Sequence, residues 1–358
     1  MSHLMQLFEA ARFPGGVEVH TDGISAAMTL DGPEHGSLRL FSLAPGVILS
    51  FNRIYTQVWP LAQTETANIL LLNFCLNGRC EVDLDNGQFA FLSQGVMALG
   101  TQQVKEAYRY PSGVYEGVEL FLDLDALERE PYCLFLEAGI DLASLIRHFQ
   151  ATQKLYLAQT PAAIQGMLSE LWALRDTEDV GRMKLNSAWL LLELSRQPYV
   201  PHPRIRYFTL SQVSIAKEVR SILLSDLGQN HTARELAERF QIGETSLKNY
   251  FRGVFGENLS AWLRETRMRR AAELLRQFGF EEPERILGQY AFQMSGGMNQ
   301  RLVSALGLAC QPGWVIADEP TKGLDAEFKQ VFAEILQALL RRGVTILMVS
   351  HDIEFCAR

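Results

Sequence analysis

Between residues 15 and 120 apolar and polar positions alternate in short runs broken by glycine, the period of half-buried strands. SLRLFSL (37–43), ILLLNFCL (69–76), CEVDLD (80–85) and QFAFLS (88–93) carry the pattern most clearly, and Asn86-Gly87 between the last two predicts a tight hairpin. Several short strands with glycine turns predict a compact barrel or sandwich. From about residue 139 the period becomes helical, in DLASLIRHFQ, TPAAIQGMLSELWALRD and GRMKLNSAWLLLELSR. Thr160-Pro161 predicts an N-cap followed by proline at the first helical position. These helices offer either an internal core or a homodimer face, and the core reading is preferred. QPYVPHPR (197–204) reads as a linker. Beyond it the pattern stays helical, with an apolar stripe along VSIAKEVRSILLSDL (213–227).

Composition narrows the class. The chain has 358 residues, 47% apolar and 21% charged, which is globular and long enough for two or three domains. Its longest apolar runs, AWLLLEL (188–194) and VTILMVS (344–350), are far shorter than the roughly 18 residues that span a bilayer. No secretory signal is visible at the start, and five dispersed cysteines predict reduced thiols, so the expectation is a soluble cytoplasmic protein with no transmembrane segment. Seven histidines show no ligand spacing. Charge is uneven: residues 201–278 carry 13 basic and 8 acidic side chains, a net of +5 inside a chain of net −8. A basic segment in an acidic chain suits a polyanion or is simply a solvated helical surface.

Within that basic segment HTARELAERF pairs Thr232 with Glu235 as a capping box, and Leu236, Ala237 and Phe240 give the helix its inner face. Gln241-Ile242-Gly243 predicts a tight turn with Gly243 at positive φ. ETSLKNYFRGVF (244–255) then turns Leu247 and Phe251 inward and leaves Thr245, Ser246, Lys248, Asn249 and Arg252 outward. Two short helices about such a turn make either a helix-turn-helix or an ordinary helical hairpin. In the first case Lys248 and Arg252 meet phosphates or guanine edges and Asn249 pairs with adenine.

The stretch 232–276 resembles the first half of the DNA-binding domain of AraC-type transcription regulators, in Leu236-Ala237, Ile242, Leu247, Phe251, Gly256 and the long helix from Arg267 through Leu275. That resemblance implies a one-component regulator whose β-barrel domain senses a small-molecule effector and whose partner is operator DNA. CLNGRCEVDLDNGQFAFL looks like the sensing half. The second helix-turn-helix of the family is missing after AAELLRQ.

In its place stands a different set of motifs. WVIADE (314–319) is an apolar strand ending in two carboxylates, a form suited to magnesium and to an attacking water. MSGGMNQR (294–301) resembles the signature of ABC ATPases, WVIADEPT their Walker B strand, KGLD (322–325) their D-loop and VSHD (349–352) their switch histidine. Met294 and Met298 replace the family's usual Leu and Gln. The resemblance implies that Ser295, Gly296 and Gly297 contact the γ-phosphate of a nucleotide held by a partner ABC ATPase subunit. It implies that Asp318 holds magnesium, that Glu319 is the catalytic base, that Asp325 lies at a dimer interface and that His351 senses the γ-phosphate. None of the 27 glycines is followed by lysine, so the phosphate loop GxxxxGK[ST] is lacking. ATP and magnesium would bind only with a partner supplying Walker A, and autonomous ATP hydrolysis is not expected.

The chain is therefore expected to be an α+β multidomain protein. Residues 1–138 would form a β-barrel-like (cupin-like) effector-sensing domain, 139–200 a helical segment and linker, 201–277 the AraC-type helix-turn-helix, first half only, and 278–358 a partial α/β P-loop-type fragment. Fusion or internal deletion between neighbouring regulator and transporter genes accounts for the order. Three functions compete: an effector-responsive DNA-binding regulator, an ATP-binding component of an ABC transporter acting in trans with a complete subunit, and an inactive gene-fusion product. The first is the leading expectation.

Overall fold

The computed structural model describes residues 17–22, 24–31, 35–60, 68–84, 87–101, 107–149, 155–199, 205–277, 280, 282–288, 290, 293–309, 313–324, 326–341 and 343–356. The chain divides into two compact units, Met1–Val213 with Gly253–Gly256, and Ser214–Arg252 with Glu257–Arg358. No described helix is long and apolar enough to cross a membrane.

The first unit is built on a curled antiparallel sheet. Its strands are β1 (Glu18–Thr21), β2 (Ser25–Leu30), β3 (His35–Ala44), β4 (Val47–Tyr55), β5 (Val58–Pro60), β6 (Ile69–Asp83), β7 (Gln88–Ser93), β8 (Val96–Gly100), β9 (Ala107–Arg109), β10 (Tyr115–Asp123), β11 (Tyr156–Gln159) and β12 (Phe208–Thr209). The main path runs β1-β2-β3-β4-β10-β6-β7-β12, with β5, β8, β9 and β11 paired beside it. Alternation gives each strand two apolar faces. One face, with Phe41, Leu49, Phe51, Leu72, Phe74, Val118 and Leu120, packs under the helices. The other curls on itself around Met28, Leu40, Ile48, Ile54, Trp59, Leu92 and Leu157.

The helices of this unit are α1 (Leu124–Arg129), α2 (Cys133–Glu137), α3 (Leu142–Phe149), α4 (Ala162–Ala173) and α5 (Val180–Ser195). Ile164, Leu168 and Leu171 of α4 and Met183, Leu190 and Leu194 of α5 lie in the sheet's core. The stripes on these helices are thus mainly core; Leu185 and Trp189, one turn apart on α5, remain exposed.

Two local expectations need correction. The runs 69–76 and 80–85 are not separate strands: β6 passes through both, bending at Gly78 (φ +79), where a Cβ would lie 1.9 Å from the Val114 carbonyl oxygen. Asn77-Gly78 has turn chemistry, but the glycine serves close approach to β10's entry. The N-cap of α4 falls on Pro161, which provides no side-chain hydrogen bond, and buried Thr160 instead accepts from Gln165 Nε2 through its carbonyl at 2.9 Å. The hairpin residue Asn86 lies outside the described residues; Gly87 beside it has φ +74.

The second unit holds the later helices: α6 (Leu210–Ser225), which starts in the first unit, α7 (Ala233–Arg239), α8 (Glu244–Phe255) and α9 (Leu259–Gln277). The Thr232–Glu235 capping box is complete, with Glu235 N–H donating to Thr232 Oγ1 at 3.1 Å and Thr232 N–H to Glu235 Oε2 at 2.9 Å. Gly243 does not take the left-handed conformation; Gln241 does, at φ 54. Ile242 N–H reaches back to the Ala237 carbonyl and Gln241 N–H to that of Glu238, each at 3.1 Å, so the helix closes in a Schellman turn and the left-handed position falls one residue past its cap.

Then follow α10 (Pro283–Leu287), α11 (Gly296–Ala309), β13 (Trp314–Asp318), α12 (Ala326–Arg341), β14 (Thr345–Val349) and α13 (Ile353–Cys356). One core joins the two resembling segments. Ala271, Leu274 and Leu275 of α9 are buried with Met294, Ala305 and Leu308 around α11, Phe332 and Leu336 of α12, and Phe355. Strands β13 and β14 are parallel, register Ile316 with Leu347 and Asp318 with Val349. Val315, Ile346 and Met348 face that core, but Trp314, Ile316, Leu347 and Val349 are each more than half exposed. Apolar runs of this kind belong to parallel sheets covered on both faces. Among the described residues one apolar face of this two-stranded sheet is bare.

Candidate functional site

The carboxyl ends of β13 and β14 bring the Walker-B-like and switch-like residues together. Asp318 ends β13 with its side chain exposed, and Glu319 follows at φ 45, a left-handed conformation costing a non-glycine residue about 1–3 kcal/mol. Two hydrogen bonds hold it there. Its N–H donates to the Val349 carbonyl at 2.8 Å, and its Oε1 accepts from His351 N–H at 2.7 Å. The exposed His351 ring lies 3.7 Å from the same oxygen through Nε2. Glu319 and His351, each named through a separate motif, are therefore in contact.

The signature-like segment begins α11. Ser295 Oγ accepts from Met298 N–H at 3.2 Å, which caps the helix and leaves the hydroxyl proton able to donate outward. The first N–H groups of the helix have no intrahelical acceptor and carry the positive end of its dipole, an arrangement that favours an anion. Gly297 is required by close packing: a Cβ there would lie 2.7 Å from the carbonyl oxygen of Gly323 (φ +79). Met294 is buried and Met298 partly buried in the core, so the departure at 298 exchanges a polar group for packing. Gln300 Nε2 donates to the Pro320 carbonyl at 3.4 Å, tying α11 to the turn after Glu319. Asp325 lies outside the described residues.

Sequence reasoning missed the supports of this site. Lys329 Nζ bonds Asp352 Oδ2 at 2.6 Å, and Asp352 Oδ1 caps α13 through Phe355 N–H, so the His351 loop is clamped to α12. Thr321, only 3% exposed, places its Oγ1 3.4 Å from Ser350 Oγ. The flanking Ser350 and Asp352 in VSHD were the available signal. One accessible carboxylate at Asp318 fits magnesium, which keeps most of its waters and takes other ligands from phosphates. No cluster of three or more candidate ligands occurs among the described residues. The residues present thus fit one side of a magnesium–nucleotide site and not a complete one.

Of the residues expected to meet DNA, Thr245, Lys248, Asn249 and Arg252 are exposed on α8 and Ser246 is half-buried, while Leu247 and Phe251 are buried. Lys248 pairs with Glu244 one turn earlier. Arg267 of α9 holds the preceding loop by donating to the carbonyls of Leu227 at 2.8 Å and Gln229 at 3.1 Å.

Residues 208–322 match the ABC transporter family profile, less than half of the chain. Among curated proteins, the dipeptide transport ATP-binding protein DppD of Escherichia coli is 38% identical over 95 residues, 26% of this chain and 29% of that protein. The nickel import ATP-binding protein NikD of Pseudomonas putida is 41% identical over 90 residues, 25% of this chain and 35% of that one. The chain spans about a third of the length of these relatives. The C-terminal part of this chain is similar to ABC ATP-binding subunits. A dimeric bacterial ABC transporter cassette is 30% identical, covering 36% of this chain and 49% of that one at a TM-score of 0.25. ToxT from Vibrio cholerae covers 75% of this chain and 96% of its own at 11% identity and a TM-score of 0.28. Likenesses so low in TM-score carry no weight for either fold. The profile match also runs across 232–276, where the capping box opens α7 and the Schellman turn leads into α8.

Proposed function

We propose that residues 294–352 act as one half of a shared nucleotide site, making this chain an ATP-binding component that works in trans with a complete ABC subunit. The observation carrying this reading is Glu319, held in a left-handed backbone conformation with its carboxylate fixed on His351 N–H at 2.7 Å, at the carboxyl ends of two parallel strands. A costly conformation over-determined by its surroundings fits a functional position. Relatives that are ATP-binding subunits put the weight here rather than on DNA binding. In this reading the amide groups of Gly296 and Gly297 and the Ser295 hydroxyl donate to a γ-phosphate whose other ligands come from the partner's phosphate loop. Glu319 orients a water and takes its proton, His351 bonds the γ-phosphate, and Asp325 meets the partner. Asp318 would hold magnesium mainly through water, and the ion would neutralise phosphate charge.

The test is sedimentation of the full chain with an ABC ATP-binding subunit that retains its phosphate loop. Association is expected with ATP and magnesium and not with ADP. Ser295→Ala is expected to weaken it about ten- to a hundredfold, the scale of one hydrogen bond to a charged group. Association indifferent to nucleotide would overturn the reading.

A second reading is favoured by the α7–turn–α8 geometry with Thr245, Lys248, Asn249 and Arg252 exposed. Here the chain is a transcription regulator, residues 1–138 a cupin-like sensor of a small-molecule effector, 139–200 a helical linker and 201–277 the DNA-binding part. Each good bidentate base contact is worth about 1–3 kcal/mol. Fluorescence anisotropy with DNA from upstream of its gene is expected to show binding over scrambled DNA that weakens between about 50 and 200 mM salt. Lys248→Ala with Arg252→Ala should lower the salt slope by about one for each phosphate no longer neutralised. Equal binding to scrambled DNA sinks this reading, and failure of both tests leaves the inactive fusion.

A further inference from the structure

The inner face of the curled sheet contains a buried carboxyl that neither reading uses. Glu119, at the middle of β10, is 6% exposed and stands in register with Ser50 of β4 and Asn73 of β6. Asn73 Nδ2 donates to Glu119 Oε1 at 2.6 Å, and the Tyr115 hydroxyl donates to Asn73 Oδ1. On the other side Ser50 Oγ donates to Asn52 Oδ1 at 2.6 Å, and the Asn52 side chain hydrogen-bonds Glu119. Each asparagine oxygen is thus occupied by a hydroxyl, which turns both amide N–H groups toward the carboxyl.

No cation offsets a charge at this position among the described residues. The titratable groups facing Glu119 are Tyr115 of its own strand, Tyr108, Tyr110, and Cys80 of β6, with Cys75 beside Tyr115 and Cys80. Burial pushes all five upward, so none is ionised near neutrality. Strand alternation puts Arg53 and Glu116 on the other face, where Arg53 pairs with Asp176 and Glu116 accepts from Tyr55, while Arg79 acts on Cys75 and Glu81 on Cys80 rather than on Glu119. An uncompensated carboxylate in such surroundings is costly even with two donors.

We propose that the Ser50–Asn52–Glu119–Asn73–Tyr115 network is a proton-operated switch, compact with Glu119 as a neutral acid and loosened when that carboxyl releases its proton to water. Burial, opposed by the two asparagine hydrogen bonds, raises the Glu119 carboxyl to about 7 from its ordinary 4.5. A carboxyl raised on folding binds its proton more tightly in the folded state. Stability of the β-unit therefore falls as pH rises from about 4.5 to about 7 and levels off above. Between pH 5.5 and 7.5 the local opening constant should grow on the order of tenfold.

The experiment is hydrogen exchange and thermal melting of the full chain at pH 5.5, 6.5, 7.5 and 8.5, comparing wild type with Glu119→Gln. After correction for intrinsic rates, protection of the β4, β6 and β10 amides in wild type should fall by about that factor while protection of α9 does not. Glu119→Gln should melt independently of pH across this window, near the wild-type value at pH 5.5. If Glu119→Gln fails to fold, the wild-type exchange profile decides alone. Constant protection in wild type, or the same pH slope in a folded Glu119→Gln, overturns the proposal.

Discussion

Replacing Leu275 by alanine is expected to cost the second unit about 2–5 kcal/mol, seen as a lower urea midpoint by tryptophan fluorescence with an unchanged m-value. Leu275 is fully buried, and its surroundings come from both sides of the junction: Ala271 and Leu274 on its own helix, then Phe280, Met294, Ala305 and Leu308 beyond it. Removing three carbons there leaves a cavity that fixed helices cannot fill. Were residues 278–358 an unfolded passenger, Leu275 would face water and alanine, the better helix former, would cost nothing. The same packing predicts that ending the chain after Gln277 bares the inner face of α9. A midpoint unmoved by Leu275→Ala would show that the shared core does not form.

Periodicity made most of these elements legible. The helix over 244–255 appears over the same residues, and the strand at 37–43 lies within β3. The expectations that failed depended on backbone detail that residue type does not settle. Gly243 was the natural candidate for positive φ, but the Schellman closure puts that conformation at the residue whose N–H pairs with Glu238, which is Gln241. The runs 69–76 and 80–85 read as separate strands because the polar residues and glycine between them suit a break, whereas Gly78 serves close approach within one strand. In the site, Ser295, Glu319 and His351 were named through the resemblance to ABC ATPase motifs, whereas the Lys329–Asp352 clamp joins residues 23 apart and follows no period. Glu119 was invisible for another reason: VELFL alternates like a half-solvated strand, and only the curl of the sheet turns its polar position inward.

The bare face of β13 and β14 is a further case of pattern without cover. WVIAD and TILMV are apolar at positions facing both ways, so their composition was legible as two-sided burial. The structure covers one side with α9, α11 and α12 and leaves Trp314, Ile316, Leu347 and Val349 exposed. That strands keep their parallel register with half their cover shows how much of this fragment's order comes from the shared core.

Substituting Glu319 by glutamine is expected to lower ATP turnover of a mixed complex with a phosphate-loop subunit by about 10²- to 10⁴-fold, the usual worth of a positioned general base. Glutamine retains an oxygen that accepts from His351 N–H, and its backbone tolerates φ 45 no worse than glutamate does, so the loop should hold its shape. What disappears is the ability to take a proton from water. The separating readout is therefore kcat against association: phosphate release at saturating ATP should collapse while nucleotide-dependent sedimentation with the partner persists and KM changes little. A His351→Ala variant, which keeps the backbone donor and removes the exposed ring, should weaken turnover less. Equal loss of turnover and of association in Glu319→Gln would mean that the carboxylate props the loop and performs no proton transfer; unchanged turnover would remove Glu319 from the chemistry altogether.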